Sequence, residues 1–151
     1  MGRGSGAVRI APLPGTTPDL IDYRSPSYDK LEADALRKMG RPDLAPLLRS
    51  VRVNGERSNA DMQSPAGAMT VYQIMPATRA LFLQKYGIDA YSSPSAAAQV
   101  AALHLAESLR RNKGDRVMAF AEYNAGPDRA RQWTTIPETR EYVRRTLAGL
   151  G

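Results

Sequence analysis

Apolar positions recur at helical intervals along most of the chain. In "SPSYDKLEADALRKMG", Tyr28, Leu31, Ala35, Leu36 and Met39 share one face, and Gly40 before Arg41-Pro42 stops the run. In "DLAPLLRSVRVNG", Leu44, Leu47, Leu48 and Val51 form the next face. Asp43 is the expected N-cap there, Pro46 fits a first turn, and Gly55 is the expected terminator. A third helix is expected from Pro76 to Gly87. A fourth opens on the Ser93-Pro94 pair and carries Ala97, Val100, Ala101, Leu105 and Leu109 on its apolar stripe. "DRVMAFAEYNAGP" gives a short helix ended by Gly126-Pro127. The last, in "TIPETREYVRRTLAGL", opens with Thr135 and Glu138 at capping-box spacing and Pro137 in the first turn. Nothing alternates with the period of a solid strand. The pattern therefore predicts a mostly α fold: a compact orthogonal domain of about five to seven short helices with little or no β structure.

Residues 1–26 break this pattern. They are rich in Gly, Pro, Ser and Thr and are read as an extended arm or linker, with the folded domain over 27–151. The whole chain has 151 residues, enough for one domain with a real core. No cysteine is present, which excludes disulfides and thiolate metal sites, and a single histidine, His104, excludes a multi-histidine cage. The formal charge of +6 favours an anionic partner. The basic residues are scattered apart from Arg110-Arg111 and Arg144-Arg145, and few aromatics interleave with them, so a solvated basic surface is expected rather than a nucleic-acid groove.

The chemistry concentrates in three blocks: "SPAGAMTVYQIMPAT" from Ser64, "AEYNAGP" from Ala121, and "PETREYVRR" from Pro137. In this order they resemble the signature blocks of the soluble lytic murein transglycosylases, glycoside hydrolase family 23, which share a lysozyme-like fold with goose-type lysozyme. The resemblance runs from Asp43 to Leu147. It implies cleavage of the N-acetylmuramic acid to N-acetylglucosamine bond of peptidoglycan. One glutamate would serve first as acid and then as base, closing an anhydro ring on the muramyl residue. The usual pair of carboxylates is not required.

Glu56, in "NGERSN", is the candidate for that glutamate. It follows a helix expected to end at Gly55, and the negative end of a helix dipole disfavours a carboxylate. Partial burial in a sugar cleft would act in the same direction, as a general acid requires. Aligned without gaps from Leu47-Leu48 and from Ser64, however, the family's glutamate position falls on Gly55, while Asn59, Ser64 and Gly67 keep their places. Either the helix end is re-wound by one residue, or this branch uses "GERSN" where others use "ES".

The resemblance also carries over Ser64, Gln73, Met75, Tyr123, Asn124 and Tyr142 as residues facing the sugar or the acid. Each has a structural alternative: a turn for Ser64, core packing for Met75, a helix end for Asn124. Glu122 is expected on a solvated helix face, and His104 is expected to be structural. No cofactor or metal is expected. The implied partner is the peptidoglycan glycan strand, with no nucleic acid, no integral membrane segment and a monomeric chain. The N-terminus lacks the apolar run of a secretory signal, so delivery to the periplasm by a phage virion, a lysis system or a secretion machine is expected. Two rivals stay open: a hydrolytic muramidase, with Asp61 or Glu122 activating water, and a glycan-binding protein without activity.

Overall fold

The computed structural model describes residues 6–151. It contains seven α-helices among those residues: α1 (Ser27–Lys38), α2 (Ala45–Ser50), α3 (Pro76–Tyr86), α4 (Pro94–Arg111), α5 (Arg116–Ala125), α6 (Pro127–Ala130) and α7 (Pro137–Ala148). One small antiparallel sheet pairs β1 (Val8–Arg9) with β2 (Met62–Gln63), Val8 opposite Gln63. The mostly helical class read from the apolar periodicity is the class observed.

The apolar stripes explain the assembly. The long α4 is central, packed against α1 on one side and α5 on the other, and α5 leans on α7. Leu36, Val100, Leu105 and Phe120 on these helices are fully buried, and so are Leu48 in α2 and Val51 just after it. The many alanines of α4 let its neighbours approach closely, since a small side chain leaves no ridge to clear. Its start is as the sequence predicts: the Ser93 hydroxyl accepts the Ala96 amide at 3.0 Å. Asp115 caps α5 in the same way, accepting the Met118 amide at 3.2 Å.

Segment 6–26 lies against the body. β1 pairs with β2, and Leu13 and Leu20 join the core. The first five residues of the expected arm lie outside the described residues.

Three local expectations are corrected. Asp43 is not the cap of α2: it sits inside a 3₁₀ turn, Pro42–Leu44, and its carboxylate pairs with Arg41. Thr135 does not open a capping box either. A 3₁₀ turn over Trp133–Thr135 takes its hydroxyl, which donates to the Gln132 carbonyl, and α7 begins one residue later behind Ile136. Finally, the α2 helix does not stop at Gly55. It continues as a π-helical turn over Val51–Glu56 and ends at Arg57 in the left-handed region, φ 50°.

Candidate active site

The π turn is the element on which the site is built. The Arg57 amide donates to the Arg52 carbonyl at 3.2 Å, the five-residue spacing of a π turn. Such a turn holds one residue more than an α turn. It therefore rotates everything after it by roughly 100° relative to a continuous α-helix. The π turn fits the re-wound helix end, one of the two alternatives left open by the one-residue offset at Gly55.

The reason lies in Gly55. A Cβ there would stand 2.7 Å from Cζ and 2.8 Å from Cε2 of Tyr142, and 2.9 Å from Cγ2 of Thr146. No side chain fits between this backbone and α7. A glutamate side chain at Gly55 would collide with α7, and the nearest carboxylate along the chain is that of Glu56.

That carboxylate is buried, with Glu56 3% exposed. Its charge is felt by two buried phenols. Burial, first, and then the charge of Glu56 hold the Tyr142 hydroxyl well above the usual phenol range, and a hydrogen-bond contact with Glu56 adds to the shift. Tyr123 is raised by the same two causes in the same order, burial and then Glu56. Its hydroxyl donates to the Tyr72 carbonyl at 2.9 Å. The bare helix end expected beside Glu56 is covered. Arg145 of α7 donates to the carbonyls of Asn54 at 2.9 Å and of Gly55 at 3.0 Å.

Tyr123 also lines a cavity of about 570 Å³, together with Gln73, Met75 and Asn124. Glu56 is not on that wall. Gln73 is held in the left-handed region, φ 49°, where a non-glycine residue is uncommon. Its amide nitrogen donates to the Thr70 carbonyl at 3.0 Å, and its buried carbonyl oxygen accepts no hydrogen bond. A buried acceptor without a donor costs free energy unless a ligand supplies one. Asn124 accepts the Thr139 hydroxyl at 2.8 Å, tying α5 to α7. Ser64 stands apart from this group: its hydroxyl oxygen accepts the Ala68 amide at 2.9 Å and closes the turn before "GAMTVYQ".

One residue is not where the helical pattern suggested. Glu122 is buried rather than solvated. It lines the cavity and accepts from Arg111 at 2.7 Å, Asn112 at 2.8 Å and Ser108 at 3.0 Å. Burial pushes its pKa up, but these hydrogen bonds outweigh it and the net shift is downward. His104 is on the same wall, between the rings of Phe82 and Tyr123, with centroids 5.6 and 5.0 Å away. Burial and then the charge of Arg111 lower it to about 4. Asp61, the other carboxylate weighed as a water activator, pairs with Arg9 at 2.5 Å.

A second polar cluster went unnoticed in the sequence. Arg52, in the π turn, is fully buried. It reaches Glu32 at 2.6 Å, Asp29 at 2.6 Å and the Tyr23 carbonyl at 2.6 Å. The Tyr72 hydroxyl donates to Glu32 at 2.6 Å. One guanidinium thus connects α1, the π turn and the loop that carries Gln73. The signal available in the sequence was a cation directly after buried Val51.

The helical domain, with a buried carboxylate at the end of α2 and a cavity lined by Tyr123, has the lysozyme-like fold. The transglycosylase SLT domain family matches residues 49–144, and the chain belongs to that family. It is 31% identical to the soluble lytic murein transglycosylase of Escherichia coli K12 over 60% of this chain, and 30% identical to that of Salmonella typhimurium LT2. It spans 17% of the length of these relatives. Two solved structures share the fold. One is an inactive Glu-to-Gln mutant of the lytic transglycosylase Slt from Pseudomonas aeruginosa, with TM-score 0.71 and 27% identity over 83% of this chain and 23% of that one. The other is the 70 kDa soluble lytic transglycosylase of E. coli, with TM-score 0.69 and 25% identity over 82% of this chain and 23% of that one.

Proposed function

We propose that this chain cleaves peptidoglycan glycan strands by lytic transglycosylation, with Glu56 as the single acid and base. The observation that carries the reading is the Glu56 carboxylate, buried beside Tyr142 and Tyr123, with Tyr123 on the wall of the cavity. The relatives named above support the substrate class.

In this reading Glu56, protonated, gives its proton to the bridging glycosidic oxygen as the bond to the muramyl anomeric carbon breaks. The sugar's acetamido oxygen stabilises the positive charge that develops there. The muramyl C6 hydroxyl then attacks the anomeric carbon, and its proton passes to the Glu56 carboxylate. The products are a free hydroxyl on one sugar and a 1,6-anhydro ring on the other, with no water consumed. The buried Tyr142 hydroxyl, kept protonated by its environment, is the group that would turn to Glu56 and orient it. Gln73 offers its free carbonyl oxygen, and Asn124 and Met75 line the path of the strand. Ser64 supports the turn that presents Gln73. We place this activity at the bacterial cell wall.

Digestion of purified peptidoglycan followed by mass spectrometry tests both halves of the reading. Fragments one water lighter than hydrolysis products are expected. Glu56→Gln is expected to lower the rate by about a hundredfold or more. A wild-type rate in Glu56→Gln removes the acid assignment. Products of hydrolytic mass assign the chain to muramidase chemistry, with cavity-lining Glu122 as the carboxylate to examine.

A further inference from the structure

The π turn has to be held by something. Helices ordinarily expand by one residue only where outside partners take the displaced backbone groups. The carbonyls of Asn54 and Gly55, the two residues before Glu56, both accept from Arg145, Nε on the first and Nη2 on the second. The same guanidinium lies over the Tyr142 ring, 5.9 Å from its centroid. Ser50, at the entry to the turn, donates its hydroxyl to the Thr146 carbonyl at 2.7 Å. Contacts at Ser50, Asn54 and Gly55 therefore join α7 to the segment that ends in Glu56, and Arg145 is the member that grips both the backbone and the phenol.

We propose that Arg145 is a positioning residue: its fork on the Asn54 and Gly55 carbonyls keeps the π turn open and holds Glu56 against Tyr142. This rests on the reading of Glu56 as the acid. Arg145 itself is not on the cavity wall. Its guanidinium is planar, and only a planar fork can reach two successive carbonyls with two of its nitrogens at once. Lysine carries the charge but not the fork. The cost of desolvating Arg145, which together with neighbouring Arg57 lowers its pKa, is consistent with a cation held at a fixed task rather than left in solvent.

The test is the full chain with Arg145→Gln and Arg145→Lys, assayed on peptidoglycan beside Glu56→Gln, with amide exchange followed by NMR. Arg145→Gln is expected to lower kcat by about tenfold to a hundredfold with KM within about twofold, because a displaced acid weakens the chemical step and not ground-state binding. The Arg57 amide, which closes the π turn on Arg52, is expected to lose protection while Leu105 in α4 keeps it. Arg145→Lys is expected to recover part of the lost kcat. If Arg145→Gln does not fold, Arg145→Lys decides alone: it must fall below wild type in kcat and in Arg57 protection. Wild-type kcat in either variant, or reduced kcat with an unchanged Arg57 amide, overturns the positioning role. An inert Glu56→Gln beside an unimpaired Arg145→Gln overturns only that role, whereas a fully active Glu56→Gln overturns the acid assignment and this role with it.

Discussion

At the scale of single residues, burial decides which of the charged groups can act. His104 shows how much a periodic pattern leaves out. Its place near the edge of an apolar stripe suggested packing, and it does stack between Phe82 and Tyr123, yet it also faces the cavity. Its pKa is lowered from 6.5 to about 4. The unfolded chain therefore takes up a proton on this group near pH 6.5, while the folded chain does so only near pH 4. Stability from His104 is complete above pH 6.5 and declines as pH falls toward 4. Denaturant midpoints measured across this window should drop more steeply for wild type than for His104→Gln. Parallel curves would mean the imidazole titrates alike in both states. The candidates Gln73, Tyr123, Asn124 and Tyr142 were legible in the sequence as members of blocks of fixed order, and Glu56 only as the carboxylate one residue beyond the position those blocks imply. Glu122 and Arg52 were not, since helical periodicity reports which face is apolar but not which polar residue will meet a partner inside.

At the scale of elements, glycine and the first turn set the limits of what could be read. The runs ending at Gly40, Gly87 and Gly126 behaved as helices with glycine stops, and Gly87, at φ 71°, sends its amide back to the Leu83 carbonyl. Gly55 has the same letter and a different purpose. Its neighbours are Tyr142 and Thr146, distant in sequence, so no local pattern distinguishes close approach from termination. The starts of α2 and α7 were misplaced for a related reason: 3₁₀ turns of two neighbouring segments absorbed Asp43 and Thr135 before the helices began. The π turn was visible as a one-residue offset, although only packing against α7 selects it over a variant motif. Gly55→Ala is then a sharp probe. The added methyl overlaps the Tyr142 ring at 2.7 Å, and overpacking of this kind costs about 1–3 kcal/mol. A fall in unfolding free energy of about 2 kcal/mol is expected, with a larger loss of peptidoglycan-cleaving rate than of stability, because the displaced groups are those that meet Glu56. An unchanged thermal midpoint would show that α7 can move away freely.

At the scale of the whole molecule, the charge balance predicts how the domain would meet an anionic polymer. The basic excess is +6, and much of the acidic complement is already committed inside or in pairs. Glu32 is tied to Arg52, Glu107 to Lys85 and Glu122 to Arg111, while Asp22, Asp34, Asp43, Asp61 and Asp89 each hold a nearby arginine. The surplus cations are spread over the surface, so they produce a diffuse attraction to an anionic polymer and not a shaped recognition site. Such an attraction acts over about 10 Å at 0.1 M salt and about 3 Å at 1 M. Contacts inside the cleft, buried and short-ranged, are screened far less. Raising salt should therefore slow digestion of intact, anionic cell-wall sacculi, chiefly through weaker adsorption, and leave cleavage of a short soluble uncharged glycan fragment nearly unchanged. Sedimentation of the domain with sacculi across the same salt series measures adsorption directly. If both substrates lose rate together, the charges act at the site itself, and the division between a salt-sensitive surface and a salt-insensitive cleft is wrong.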